Sequence, residues 1–121
     1  MSLVARHLEA NGIPTVIIGS ARDIVEHCGV PRFLFTDFPL GNPAGHPENQ
    51  AMQQAIVAQA LDLLASATAP RTTAVAPFPW RDDPDWRARY GHIDPVKIAA
   101  LRAAGEERRQ KQDAAKALRR T

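Results

Sequence analysis

Two short apolar runs, Thr15-Val16-Ile17-Ile18 and Arg32-Phe33-Leu34-Phe35-Thr36, restrict what this chain can fold into more than anything else in it. Neither alternates between polar and apolar residues. Each therefore suits a strand with both faces covered, the usual condition in a parallel sheet. Between them Ser20 stands three residues before Asp23, an N-cap pattern in which a hydroxyl accepts a first-turn amide and a carboxylate meets the positive helix end. The spacing predicts a helix over 21–28, closed by Gly29. Strand, helix, strand in that order argues a right-handed parallel crossover. The expected class is α/β: a small three-layer Rossmann-like fragment with a short parallel sheet of about two to three strands, flanking helices and an extended helical C-terminal tail.

The remaining segments fit around that unit. Leu3, Val4, His7 and Leu8 share one helical stripe, and Asn11-Gly12 supplies the flexible residue that closes such a helix. Residues 38–47 hold three prolines and two glycines, too many for a helix or a central strand, so they form a shaped loop at the C-terminal end of the second strand. Pro47 suits the first position of a helix in which Met52, Ile56, Ala60 and Leu63 recur at helical spacing as far as Ser66. From Thr68 to Tyr90 four prolines and the cluster Trp80-Arg81-Asp82-Asp83-Pro84-Asp85-Trp86 indicate an extended arm, with a short helical turn near Asp85–Arg89. Asp94-Pro95 then caps a last helix whose apolar stripe, Ile98 and Leu101, fades after Gly105. The expected division is an α/β domain over residues 1–67 and, over 68–121, a proline-rich arm with a basic C-terminal helix.

Composition narrows the function classes. No eighteen apolar residues run together, and the first residues lack the basic, apolar and small-residue order of a signal peptide, so the expected location is cytoplasmic, without a membrane partner. The single cysteine, Cys28, rules out an internal disulfide, a cysteine-based zinc cluster and an intramolecular dithiol cycle. Residues 1–96 carry seven Lys/Arg against ten Asp/Glu, whereas 97–121 carry eight against three. That basic tail interleaves no aromatic for base stacking, and nucleic acid is not the expected partner. Two strands alone do not bury a hydrophobic face, and a doubly wound fold would supply a strand before the first helix. The chain is therefore expected to associate, with a second chain or with itself.

Four ordered motifs carry a resemblance. Gly12-Ile13-Pro14-Thr15-Val16, Arg22-Asp23-Ile24, Gly29-Val30-Pro31-Arg32 and Phe38-Pro39-Leu40-Gly41-Asn42-Pro43 resemble the C-terminal part of component B of the glycine, sarcosine and betaine reductases and the selenoprotein B-like subunit of D-proline reductase. The likeness covers Leu3 to about Ala67, and the tail adds nothing to it. It implies an oxidoreductase subunit that takes part in reductive carbon–nitrogen cleavage of a small amino-acid or betaine-like substrate through selenocysteine or cysteine. In that family the redox residue lies in a Cys/Sec-x-x-Cys-like turn just before the helix matching residues 3–10, and Met1 stands where that motif would end. The motif is then lost, or supplied by a partner chain, or hidden upstream by a selenocysteine codon read as a stop. The last accounts for the start most directly. Ala44 also occupies a position where many relatives carry a cysteine.

The residues open to function lie at the C-terminal ends of the two strands, where parallel sheets form their ligand crevice. Gly19-Ser20 and the loop 38–47 are expected to meet there, with the helix after Pro47 turning its positive end inward. The candidate substrate-binding residues are Ser20, Arg22, Asp37, Gly41, Asn42 and His46, for a small anionic or amino-acid-like substrate. Each has a plainer reading: Ser20 as a cap, Asp37 as an acceptor of backbone amides, the loop as a rigid connector. Cys28 is the weak catalytic candidate, more readily read as a small buried hydrophobe, since a helix C-terminus does not lower a thiol pKa. His7, His27, His46 and His92 show no metal spacing, and no cofactor is expected. Trp80 and Trp86, with Arg81, Arg87 and Arg89, suit either a partner-binding arm or a cover for the sheet. Two functions stay open: a reductase subunit whose redox residue comes from outside this sequence, and a non-catalytic binding or assembly subunit.

Overall fold

The computed structural model describes residues 1–82 and 85–118. It divides into two compact units, Met1–Pro84 and Asp85–Thr121. The first unit runs α1 (Ser2–Ala10), β1 (Ile17–Gly19), α2 (Arg22–Cys28), β2 (Arg32–Phe35), α3 (Gln50–Ser66) and β3 (Thr72–Val75). The second holds α4 (Trp86–Tyr90) and α5 (Pro95–Leu118). Asp83 and Pro84 of the tryptophan cluster, and residues 119–121 of the basic tail, lie outside the described residues.

The strands lie in the order β1-β2-β3, all parallel. Ile17 is opposite Phe33 and Gly19 opposite Phe35, as the two apolar runs and the helix between them require. Successive strand residues face opposite sides. Phe33 accordingly joins Val25 of α2, Val30, Ile17 and Phe35 in one cluster, while Leu34, on the other side, is also fully buried. Both faces of β2 are covered, and α3 packs on the same strand with Ile56, Ala60 and Leu63 buried. Gly29 ends α2 at φ 71°, a left-handed conformation that a Cβ disfavours, and its amide closes onto the Glu26 carbonyl at 3.0 Å.

Three sequence expectations change. Thr72–Val75, placed in the extended arm, is the third strand, its register set by Phe33 opposite Thr73 and Phe35 opposite Val75. That strand belongs to the first compact unit. Ser20 does not cap α2; Ala21 holds that position, without a side-chain bond. Pro47 does not open α3, because Asn49 caps it by accepting the Met52 amide at 3.1 Å, and Glu48 turns the chain there at φ 64°. The last helix starts as expected, at an Asp94 carboxylate that accepts the Val96 amide at 3.0 Å, and continues through Gly105 to Leu118.

At the N-terminal end of the sheet an ion pair fastens α1. Arg32 Nη1 lies 2.7 Å from Glu9 Oε1, and the same oxygen accepts from the Thr15 amide and from Thr15 Oγ1 at 3.0 Å. Burial alone would raise the Glu9 pKa. The Thr15 amide and hydroxyl and the Arg32 guanidinium together outweigh it and hold the carboxyl below its usual range.

Candidate functional site

The C-terminal ends of β1 and β2 and the loop after β2 meet through one buried hydroxyl. Thr36 is fully buried, and its Oγ1 donates to the Pro43 carbonyl at 2.8 Å, with the Gly19 carbonyl 3.4 Å away. The Thr36 amide donates to Gly19 at 2.9 Å. Ser20 Oγ lies 3.3 Å from Thr36 Oγ1. A hydroxyl carries one proton and Pro43 can only accept, so Ser20 is the donor to Thr36. The Ser20 oxygen is left as an acceptor.

Around this junction lies a crevice of about 260 Å³, lined by Ser2, Ile18, Ser20, Leu40, Gly41 and Pro43, with Met1, Ile17, Gly19, Ala21 and Val25 completing it. No lining side chain is charged. Polarity comes from two serine hydroxyls and the backbone. Helix α1 begins here with Met1 at its N-cap and no side-chain cap, so first-turn amides and the positive end of the helix dipole open onto the space. Gly41 sits at φ 96° on an exposed turn, where a Cβ would meet nothing within 4 Å.

The structure brings together Ser20 and Gly41 of the expected set. Arg22 turns instead to Glu26, with Nε 3.0 Å from Oε1, and lies over the Phe35 ring at 5.7 Å. Asp37 is exposed and outside the crevice lining. Asn42 holds the loop by its backbone, its amide donating to Pro39 at 3.1 Å and its carbonyl accepting from Gly45 at 3.2 Å. His46 stacks on Trp80 at 3.7 Å between ring centroids and 15° between planes, and its Nε2 bonds the Trp80 carbonyl. Since that carbonyl only accepts, Nε2 carries the proton. Trp80 is buried, with Phe38 at 5.4 Å, and so covers the loop of its own unit. Nor does the start of α3 line the crevice. The helix that presents its positive end there is α1.

Cys28 is half-buried at the end of α2, its carbonyl accepting from Arg6 at 3.2 Å, beside a hollow formed with Asp23, Ile24 and His27 and apart from the crevice. In the second unit Arg87 lies 4.9 Å over the Trp86 ring, and Tyr90 meets that ring edge-on at 6.2 Å. Among the described residues no three His, Cys, Asp or Glu side chains gather as a metal site. None of the described helices is long and apolar enough to cross a membrane.

Residue reasoning missed Met1 and Ser2 of α1 and Thr36. Their signal was present: a helix leading into a parallel strand begins at that strand's C-terminal end, and a threonine ending a buried strand needs partners there.

No family model matches the chain, and no solved structure matches it. Among curated proteins, D-proline reductase subunit gamma of Acetoanaerobium sticklandii is 36% identical over 78 residues, which is 64% of this chain. Those residues are 31% of that subunit, so the chain spans about a third of the length of the curated relative it matches. Over those residues the chain is related to a reductase subunit.

Proposed function

We propose that this chain is a cytoplasmic subunit of a selenocysteine- or cysteine-dependent reductase, and that its crevice holds a small amino-acid or betaine-like substrate undergoing reductive carbon–nitrogen cleavage. The observation that carries the reading is the crevice at the C-terminal ends of β1 and β2, lined by the Ser2 and Ser20 hydroxyls and no charged side chain, in a chain similar to a D-proline reductase subunit. First-turn amides of a helix bind carboxylates. The Ser20 oxygen, with its own proton committed to Thr36, is an acceptor suited to a substrate ammonium. Cys28 has no second cysteine in the sequence to close a redox cycle, so the redox residue comes from outside it. Asn42 and Asp37 belong to the same loop region and are kept as secondary contacts, while His46 and Arg22 act through the loop and through Phe35.

The test is an NMR titration of the full chain with D-proline, glycine, betaine and acetate. Saturable shifts at Ser2, Ser20 and Gly41 with D-proline or glycine, and weaker ones with acetate, are expected. No shifts at millimolar ligand would leave the second reading, a non-catalytic assembly subunit, which the single thiol and the exposed Leu3, Val4 and Ile24 favour.

A further inference from the structure

We propose that the space between α2 and β3 is a second ligand site, for a small α-amino acid with an apolar side chain, held as its zwitterion. The site begins with a strained backbone. Arg71 follows Pro70 in the turn that leads into β3 and sits at φ 61°, in the left-handed region where turns ordinarily place glycine or asparagine. Such a conformation persists only where the surroundings hold it. Here it carries the guanidinium to the turn that closes α2. Arg71 Cζ and Nε both lie 3.1 Å from where a Cβ of Gly29 would stand, so the glycine leaves the group its room. Packing on Gly29 places the guanidinium without spending its donors. Among the described residues Arg71 takes no hydrogen-bond or ion-pair partner. The negative end of α2 suits a cation there, but it leaves the planar N–H fork unused.

The fork borders a hollow of about 200 Å³ lined by Glu26, Val30, Phe33, Arg71 and Thr73. Phe33 and Thr73 are register partners, and they share the face of the sheet on which Val25 of α2 packs. Phe33 and Val30 give an apolar floor, and Thr73 adds one hydroxyl. Glu26 stands on the α2 side, where its Oε1 accepts from Arg22 at 3.0 Å and its other oxygen can take a further donor. A cation and a carboxylate around one small space suit a ligand that carries both charges. Its carboxylate meets the guanidinium fork, its ammonium meets Glu26, and its side chain lies toward Val30 and Phe33. A plain anion would be repelled by Glu26 and a plain amine by Arg71. No residue of this hollow lines the crevice at the strand ends, so the inference does not need the reductase reading.

The test is an NMR titration of the full chain with valine, with isovalerate, which lacks the amine, and with isobutylamine, which lacks the carboxylate. Valine should shift the Val30 and Thr73 amides saturably and bind about tenfold more tightly than either fragment. Arg71→Gly relieves the turn and removes the guanidinium. It should melt no lower than the wild type and bind valine about tenfold more weakly or less. Glu26→Gln leaves the turn untouched and breaks only an exposed pair with Arg22, and it should bring valine down to the affinity of isovalerate. No saturable shift at Thr73 with millimolar valine, isovalerate binding as tightly as valine, or valine binding unchanged in either variant would each overturn the proposal. Ser2, Ser20 and Gly41 report the crevice in the same spectra, so the two readings fail separately.

Discussion

The Thr36 hydroxyl donates to the Pro43 carbonyl across 2.8 Å, and through that bond a fully buried side chain at the end of β2 fixes the loop that walls the crevice. Thr36→Val keeps the shape and removes the proton. It leaves the Pro43 carbonyl without that donor and Ser20 without its acceptor. A cost of about 1–3 kcal/mol is expected from urea unfolding, because an unsatisfied buried acceptor costs that much. Ligand shifts at Gly41 should weaken along with it.

Gly41 and Gly45 both adopt positive φ, 96° and 106°, but only one has room. A Cβ at Gly45 would lie 3.0 Å from Met52 Sδ and 3.3 Å from Ile56 Cδ1. Gly41→Ala should therefore cost about 1–2 kcal/mol, the backbone strain alone. Gly45→Ala should cost about 2–4 kcal/mol, since overpacking adds to strain. Gly41→Val should leave the fold intact while blocking ligand at the crevice. Thermal melts of the three variants, with the D-proline titration, check both statements.

Glu9 makes stability depend on pH. Its folded pKa lies below the usual value of 4.5, so the unfolded chain binds its proton first as pH falls. The stabilisation is present in full above that value and is lost as pH drops through the folded pKa. Glu9→Gln should lower stability at pH 7 by about 1–2 kcal/mol, through the weakened bonds to Arg32 and Thr15. It should also flatten the acid limb of a urea-stability profile below pH 5. An acid limb as steep as in the wild type would assign the dependence elsewhere.

Trp80 holds the loop from the opposite side, stacked on His46 and against Phe38. Trp80→Ala should cost about 3–5 kcal/mol, the usual loss for a large buried aromatic. Trp80→Phe should recover much of that cost, and hydrogen exchange at Gln53, whose side chain donates to the His46 carbonyl at 2.7 Å, should follow the same order.

Period and composition were enough to establish the parallel pairing of β1 and β2, the helix between them and the apolar stripe of α3. Apolar residues buried on both faces of a strand leave a mark in local sequence that no partner has to supply. Gly41 and Ser20 were legible as crevice residues for a related reason: they follow directly from where parallel strands end. Thr72–Val75 was not legible, because four residues between prolines have no period of their own and become a strand only against the Phe33 and Phe35 backbone. Nor was the fate of Ser20, His46 and Trp80. A hydroxyl three residues before Asp23 suits a cap until Thr36 offers a better-placed acceptor, and His46 reads as a ligand-binding side chain until a tryptophan 34 residues later stacks on it. Those choices are competitions between local partners and distant ones. Only the folded chain, which fixes the distances, decides them.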